Sequence, residues 1–350
     1  MSESIILGIE SSCDDTSAAI IQGNKILSNI AANQEIHNEY GGVVPELASR
    51  AHQQNIIPVV DQSVTKANIQ QKDISAIGFT RGPGLLGSLL VGTSFAKSLA
   101  MSLNVPLIEV NHLQAHILAH FIDDANPKPP KFPFLCLTVS GGHTMIVMVK
   151  DYFDMEIIGK TIDDAAGEAF DKIGKIFDLN YPAGPIVDRL AKTGNANAFK
   201  FNKPRIDNYN YSFSGIKTSV LYFIQKEVQK NPNFIQENLA DLCASVQKTI
   251  VEILMDKVEK AAKELGINEV AIAGGVSANS GLREAMTKNA EKLGWKIYIP
   301  KFEYTTDNAA MIAMVAKLKY DRGEFTDLSI SATARYDIEE SFKNDIQSQD

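Results

Sequence analysis

The sequence has few cysteines and no long apolar segment. Its three cysteines, Cys13, Cys136 and Cys243, are far apart in a chain of 350 residues, which argues against a disulfide framework and against a metal site built from paired cysteines. No apolar run reaches the roughly 18 residues that a membrane helix needs. The first residues also lack the basic flank and the apolar core of a secretory signal. We therefore expect a protein of the reducing cytoplasm.

Positive charge is also in deficit. The formal net charge is −8, and a net negative surface repels phosphate, so nucleic-acid binding would need a local basic patch or a partner protein. Hydrophobic residues make up 45% of the chain and charged residues 22%, which are ordinary globular values. The length predicts two lobes rather than one domain.

Each half of the chain repeats one pattern. A hairpin comes first, at residues 5–21 and again at 134–149. A strand and a glycine-rich turn follow, at 74–87 with a long apolar helix after it, and at 269–279 with a helix from about 280 to 293. This repeat predicts two related α/β lobes with a cleft between them. The expected divisions are a first lobe at 1–110, to which a helix of 307–335 packs back, a second lobe at 111–306 with extra material at about 151–230, and a polar tail at 336–350.

Two histidines, His112 and His116, lie four residues apart after an apolar segment. On a helix they would project from one face and could bind one divalent metal ion. Leu113 stands where a zinc peptidase has its glutamate, so protease activity is not expected. For the pair alone, ordinary surface or core histidines explain the spacing equally well.

Other residues could complete such a site. Asp307 precedes an apolar helix and is either its N-cap or a hard oxygen ligand, and a His, His, Asp set suits Fe(II) or zinc. Glycine-rich turns can close backbone amides on phosphate. The turn at 139–143 is the candidate for phosphate or acyl oxygens, and the turn at 274–279 is the candidate for adenosine.

Basic and aromatic residues alternate between Phe199 and Lys217. Such a stretch can pair phosphates and stack on bases, although its aromatic residues could equally pack on their own domain. Asp164, Glu168 and Asp171 are spaced to share one face of a nearby helix.

Together these motifs resemble the TsaD family, the tRNA N6-adenosine threonylcarbamoyltransferases. The similarity runs from about residue 5 to residue 335 in family order. The segments that carry it are 8–16, 81–84, the His112 and His116 pair, 139–144, 163–172, 212–218, 274–279 and 306–310.

The resemblance implies the two-lobed fold of actin, Hsp70 and sugar kinases. It implies transfer of threonylcarbamoyl from threonylcarbamoyl-AMP to N6 of the adenosine that follows the anticodon, in tRNAs reading codons that begin with A, with release of AMP. Metal ligands carry over onto His112, His116 and Asp307, with iron expected and zinc the alternative. Substrate contacts carry over onto Thr138, Val139, Ser140, Gly141, Gly142, Asp171, Gly184, Asp188 and Asn279.

The family also implies partners, namely tRNA, a TsaB-like paralogue and a TsaE-like ATPase, with ATP or ADP as other nucleotides for the site. Two positions depart from the family pattern. Thr138 stands where some members place a tyrosine ligand, and Ala183 replaces a glycine of the Tyr-Pro-Gly-Gly-Pro motif. Placement alone makes Glu10 and His143 candidates to take the proton of the attacking amine.

Two alternatives remain open at this point. One is an ATP-dependent small-molecule kinase of the same fold, which would use the phosphate turns without the metal ligands. The other is a non-catalytic nucleotide-binding scaffold. Metal analysis of the purified protein discriminates between these functions and the transferase.

Overall fold

The computed structural model describes residues 3–34 and 37–339. They belong to two compact units, each built around a five-stranded sheet. The first unit consists of the chain up to Pro130, Asp151–Met155 and the chain from Pro300 onward. The second unit consists of Lys131–Lys150 and Glu156–Ile299.

The first unit pairs β-branched strands with helices that cover them. Its sheet has the order β3-β2-β1-β4-β5, in which β1 is antiparallel to β2 and parallel to β4. The elements, in chain order, are β1 (Ile5–Glu10), β2 (Thr16–Gln22), β3 (Lys25–Ala32), α1 (His37–Tyr40), α2 (Pro45–Lys66), β4 (Ala76–Gly82), α3 (Leu86–Leu103), β5 (Leu107–Asn111) and α4 (His112–Leu118).

The second unit has a sheet of order β10-β9-β6-β7-β8. Its long helix α8 supplies much of the hydrophobic core. The elements are β6 (Phe134–Val139), β7 (Thr144–Asp151), β8 (Asp154–Lys160), α5 (Ala166–Ile176), α6 (Ala183–Ala191), α7 (Ser214–Lys230), α8 (Phe234–Leu265), β9 (Glu269–Ala273), α9 (Ser280–Leu293) and β10 (Lys296–Tyr298).

The two sheets share one plan. The antiparallel pair β1 and β2 corresponds to β6 and β7, and the parallel neighbour β4 corresponds to β9. In both units a turn that contains glycine follows the parallel strand and leads into a helix, α3 or α9. The two-lobed α/β repeat predicted from the sequence is confirmed.

A last helix, α10 (Ala309–Asp321), packs on the sheet of the first unit. The approach is close because glycines lie beneath it: a Cβ atom on Gly8 would lie 2.6 Å from the Ala309 carbonyl oxygen, and one on Gly78 would lie 2.3 Å from the Ala316 Cβ. Helix α4 packs in turn against α10. Residues 111–130 therefore belong to the first unit, whereas the sequence placed them in the second lobe.

The chain after α10 returns along β4 and β5. In this C-terminal strap (residues 326–338), the Thr326 amide donates to the Leu107 carbonyl at 2.8 Å and the Thr333 amide donates to the Arg81 carbonyl at 3.0 Å. Tyr336 and Ile338 are buried. The start of the predicted polar tail thus packs against the first unit, and residues 340–350 lie outside the described residues.

One helix, α3, has the length and composition of a membrane span, with 18 residues and a mean hydropathy of 1.3. Core helices pass the same test, and α3 packs against α2 and β4. It also contains Lys97, whose ammonium group donates to the Ile330 carbonyl of the C-terminal strap. These contacts account for α3 as a structural helix of the first unit.

Candidate functional site

Three predicted metal ligands come together in the first unit. His112 and His116 lie one turn apart on α4, and Asp307 lies just before α10. The Asp307 Oδ1 atom is 3.2 Å from His116 Nε2 and 3.4 Å from His112 Nε2. One ligand atom from each residue lies within 4.8 Å of the others. Both imidazoles thus direct the same ring nitrogen toward one carboxylate.

This donor set fits a divalent cation. Two imidazole nitrogens and a carboxylate oxygen are ligands that zinc and non-haem iron share. Ligand atoms about 2.0–2.1 Å from a tetrahedral ion would be about 3.3 Å apart, which agrees with the 3.2 Å and 3.4 Å separations of the two imidazoles from Asp307. Three protein ligands also leave coordination positions for a substrate.

Asn111 fixes the start of the ligand helix. Its side-chain oxygen accepts hydrogen bonds from the Leu113 amide at 2.9 Å and the Gln114 amide at 3.2 Å, which makes it the N-cap of α4. Helix α4 has only seven residues, and all of its side chains are buried. The cap therefore orders the turn that carries His112.

Glu10 supports His112 from behind. It ends β1, is fully buried, and its Oε2 atom lies 3.0 Å from His112 Nδ1 and accepts a 2.6 Å hydrogen bond from the Thr80 hydroxyl. The Glu10 Oε1 atom accepts the Ser12 amide. A carboxylate beside Nδ1 holds the proton on that nitrogen, so Nε2, which faces Asp307, is the nitrogen at which a metal would replace a proton.

Mutual attraction governs the ionisation of this cluster. Burial by itself would raise the pKa of Glu10, but the neighbouring His112 outweighs it and the pKa is lowered. Burial would also raise the pKa of Asp307. His112 and His116 outweigh burial and hold that pKa well below its usual value. Burial would lower the pKa of His112, yet Asp307 and Glu10 raise it well above its usual value. The two carboxylates therefore favour a cation at this position.

The same contacts contradict the role as a proton-accepting base predicted for Glu10. Its side chain has no exposed surface, and its two oxygens already serve the Ser12 amide, the Thr80 hydroxyl and His112. A substrate amine cannot approach a carboxylate enclosed in this way. Glu10 is placed instead to orient a ligand.

The glycine-rich turn at 139–143 makes hydrogen bonds within itself. The Ser140 amide donates to the His143 carbonyl at 2.8 Å, and the His143 amide donates to the Ser140 hydroxyl at 3.1 Å. Gly141 and Gly142 are exposed, with open space where a Cβ atom would lie. The start of α5 lies against the backbone of Gly141, where a Cβ atom on Gly167 would be 2.9 Å from the Gly141 nitrogen.

Two predicted substrate contacts on β6 do not reach this surface. Thr138 and Val139 are fully buried, and the Thr138 hydroxyl points to the Cys136 sulfur at 3.8 Å. Their side chains belong to the sheet core. Their contribution is to position the turn that begins at Ser140.

Two of the remaining predicted substrate residues, Asp171 on α5 and Asp188 on α6, use their carboxylates to cap the N-termini of neighbouring helices. Asp171 Oδ1 accepts the Ala183 amide at 2.8 Å and the Gly184 amide at 3.4 Å, at the start of α6. Asp188 Oδ1 accepts the Ser280 amide at 2.9 Å and its hydroxyl at 2.7 Å, at the start of α9. Burial raises the pKa of Asp171, while the two amides oppose that shift.

Asn279 caps α9 by accepting the Leu282 amide at 3.0 Å, and its side-chain nitrogen donates to Gln247 Oε1 at 2.8 Å. Gly274 adopts a φ of +85°, and a Cβ atom there would lie 2.5 Å from the Val139 carbonyl oxygen. The glycine-rich turns at 139–143 and 274–279 therefore lie against each other in the second unit.

Several supporting residues were not predicted from the sequence. Ser12 and Thr80 contact Glu10, and Gln247 contacts Asn279 across 32 positions of the chain. No local spacing indicates these pairs. Only the parallel pairing of β1 with β4, which matches Ile9 with Phe79, could have suggested that Thr80 lies beside Glu10.

The basic and aromatic stretch from Phe199 to Lys217 is not a base-stacking surface. Phe199 packs on Phe223 with ring centroids 5.3 Å apart, and Tyr211 and Phe213 are fully buried. Lys203 pairs with Asp256 at 2.9 Å and with Glu252 at 3.3 Å. Of the two alternatives, packing of the aromatic residues on their own domain is confirmed, because they fill the core of the second unit.

The three acidic residues predicted to share a helix face, Asp164, Glu168 and Asp171, do not share one partner. Lys172 pairs with Asp164 at 2.7 Å and with Glu168 at 2.9 Å. Asp171 turns instead toward the start of α6. Of the three acidic residues, only Asp171 stays a candidate for substrate binding.

Over most of its length the chain is similar to proteins of one family. A family model described as "TsaD: tRNA N6-adenosine threonylcarbamoyltransferase" matches residues 25–314. A tRNA N6-adenosine threonylcarbamoyltransferase from Riemerella anatipestifer is 81% identical, over 97% of this chain and 99% of the relative. One of the same name from Christiangramia forsetii is 63% identical, over 95% of this chain and 97% of the relative.

Similarity to a solved structure supports the fold alone. HypF, in its phosphate- and nucleotide-bound form, aligns with a TM-score of 0.59 at 15% identity, over 93% of this chain and 48% of the HypF chain. The shared architecture is the two-lobed α/β fold of the actin, Hsp70 and sugar-kinase class.

Proposed function

The chain belongs to the TsaD family of tRNA N6-adenosine threonylcarbamoyltransferases, and we propose that it forms N6-threonylcarbamoyladenosine in tRNA. The acceptor is N6 of the adenosine that follows the anticodon in tRNAs reading codons that begin with A. A bond forms between N6 and the carbamoyl carbon of threonylcarbamoyl-AMP, the bond from that carbon to the phosphate oxygen breaks, and AMP and the N6 proton leave. The supporting observation is the assembly of His112, His116 and Asp307 in a chain so similar to these enzymes.

We propose that His112 Nε2, His116 Nε2 and the Asp307 carboxylate bind one divalent cation, iron in preference to zinc. When bound, the cation supplies Lewis-acid polarisation of an acyl or carboxylate oxygen. Adenine N6 is a weak nucleophile because its lone pair is delocalised into the ring, so activation of the acyl carbon must provide most of the catalysis. Glu10 contributes by holding the proton on His112 Nδ1.

The second unit is proposed to bind the nucleotide. The amides of the exposed residues Gly141 and Gly142 are proposed to donate to phosphate or acyl oxygens, as backbone amides do in oxyanion sites. Asp171, Gly184, Asp188 and Asn279 are proposed to contact the adenosine. With Glu10 enclosed, His143, half-buried in the phosphate turn, is the remaining candidate to accept the N6 proton.

The partners follow from the family. We propose that the chain acts on tRNA in the cytoplasm with a TsaB-like paralogue and a TsaE-like ATPase. The net charge of −8 and the burial of the basic stretch's aromatic residues fit a protein that needs help to hold tRNA.

The direct test is incubation of the purified chain and those partners with threonylcarbamoyl-AMP and unmodified tRNA, followed by digestion and mass spectrometry of the nucleosides. Threonylcarbamoyladenosine is expected with the native chain and not with His112→Ala. Absence of the modified nucleoside in the complete mixture, or equal yield from His112→Ala, would contradict the proposal. Phosphorylation of a small molecule by ATP would favour the kinase alternative instead.

A further inference from the structure

The C-terminal strap reaches the strand that leads into the ligand helix. The Asn111 side-chain nitrogen donates to the Tyr336 carbonyl at 3.0 Å, with the Asp337 carbonyl 3.5 Å away. Asn111 is 1% exposed and Tyr336 is 5% exposed. A buried contact thus joins residues that are 225 positions apart in the chain.

This contact and the helix cap require the same orientation of the Asn111 amide. A backbone carbonyl can only accept a hydrogen bond, so the Asn111 nitrogen must face Tyr336 and its oxygen must face the helix. That oxygen is the atom that caps α4 through the Leu113 and Gln114 amides. His112 is the first residue of the helix so capped.

The strap is also anchored to the same strand by side chains. The Arg81 guanidinium lies 4.7 Å from the centroid of the Tyr336 ring and 2.7 Å from Glu109 Oε2. The Tyr336 hydroxyl donates to Glu109 Oε1 at 3.3 Å. Glu109 lies on β5, two residues before Asn111, so the anchor and the cap share one rigid element.

We propose that the C-terminal strap positions the metal ligands: the Tyr336 carbonyl orients Asn111, Asn111 caps α4, and α4 presents His112. This inference rests on the metal site of the proposed function. Asn111 and Tyr336 are positioning residues that act through His112. Loosening the strap should therefore weaken metal binding without removing a ligand.

Two variants of the full-length chain test the proposal. Asn111→Asp keeps an oxygen for the cap but loses the donor to Tyr336 and places a charge against its carbonyl. Tyr336→Ala removes the ring that anchors the strap. Asn238→Asp is the matched control, because the Asn238 amide also donates to a backbone carbonyl, that of Phe234 at 2.9 Å, but in the second unit.

The readouts are Co²⁺ affinity by calorimetry and absorption, and the ring nitrogen NMR shifts of His112 in the metal-free chain. Both strap variants should bind Co²⁺ about tenfold more weakly than the native chain, because loss of a residue that orients a metal ligand typically lowers affinity by about that factor. Both should also shift the NMR signals of the His112 ring nitrogens. Asn238→Asp should change neither. Melting of the metal-free variants identifies any that are unfolded, and Asn111→Asp is expected to fold because its cap oxygen is kept.

Native affinity and native His112 signals in both folded variants would overturn the proposal, and so would an equal loss in Asn238→Asp. If the unaltered chain bound no Co²⁺, the proposed metal function would fail. The His112 shifts would still decide whether the strap positions α4, since they need no metal.

Discussion

Replacing Glu10 by glutamine should move the ring proton of neutral His112 from Nδ1 to Nε2. The Oε1 atom of Glu10 accepts the Ser12 amide, and its Oε2 atom faces the Thr80 hydroxyl and His112 Nδ1. A glutamine oxygen is needed opposite the Ser12 amide, because an NH₂ group there would oppose a second donor. Its NH₂ group then faces His112 Nδ1, and the Ser12 hydroxyl, 3.2 Å from Nδ1, can also donate to it, so the favoured ring proton is on Nε2.

Metal affinity should fall in either orientation of the glutamine amide. An Nε2–H group cannot bind a metal, and the opposite glutamine orientation leaves two buried donors facing each other, at about 1–3 kcal/mol. Either outcome lowers metal affinity by roughly 10-fold to 100-fold, the usual effect of losing a residue that orients a ligand. The fold should persist, since the side-chain volume hardly changes.

The assay is competition for Zn²⁺ against a chelator, combined with nitrogen NMR of the His112 ring. Thr80→Val is the matched control, because it removes one donor to Glu10 without changing what His112 contacts, and its affinity should stay within about threefold of native. A Glu10→Gln chain that binds Zn²⁺ as the native chain does, with the proton still on Nδ1, would refute the reasoning.

Other variants test separate parts of the molecule. His112→Ala should lose metal and transfer and should melt below the metal-free native chain, because it leaves the buried Glu10 carboxylate without its cationic partner; full metal content would contradict its role as a ligand. His143→Gln should lower the transfer rate by about 10²-fold to 10⁴-fold at unchanged metal affinity, and an unchanged rate would remove His143 as the base. Asp163→Ala should destabilise the chain by about 0.5–2 kcal/mol at neutral pH, because Asp163 caps the start of α7. Burial would raise the pKa of Asp163, but its hydrogen bonds outweigh burial and lower it, so this difference, followed by urea unfolding, should be constant above about pH 5 and vanish as the pH falls through the lowered pKa. Gly274→Ala should disturb the contact with Val139 and weaken AMP binding by calorimetry, whereas Gly275→Ala, which has open space, should not.

The repeat and the ligand set could be predicted because their signals are local. Alternating apolar segments with glycine-rich turns marked both sheets, and the four-residue spacing of His112 and His116 placed both on one face of α4. The lobe boundary at residue 110 differed from the structure because α4 packs on α10, which comes from the far end of the chain.

What local signals could not predict are contacts between distant segments. Glu10 meets His112 across 102 positions, and its burial, which decides against a role as base, is invisible in the sequence. The aromatic residues after Phe199 have the composition of a nucleic-acid surface, but the neighbouring helix α7 supplies Phe223 as a packing partner. The same composition fits a nucleic-acid surface or a hydrophobic core, and only the tertiary packing shows that these aromatic residues belong to the core.

Crystals of the chain grown with Fe²⁺ or Zn²⁺ and measured at the metal absorption edge would show whether His112, His116 and Asp307 bind a metal ion. We expect one anomalous peak per chain, about 2.0–2.2 Å from His112 Nε2, His116 Nε2 and an Asp307 carboxylate oxygen. Well-ordered crystals with no anomalous peak among these three side chains would contradict it.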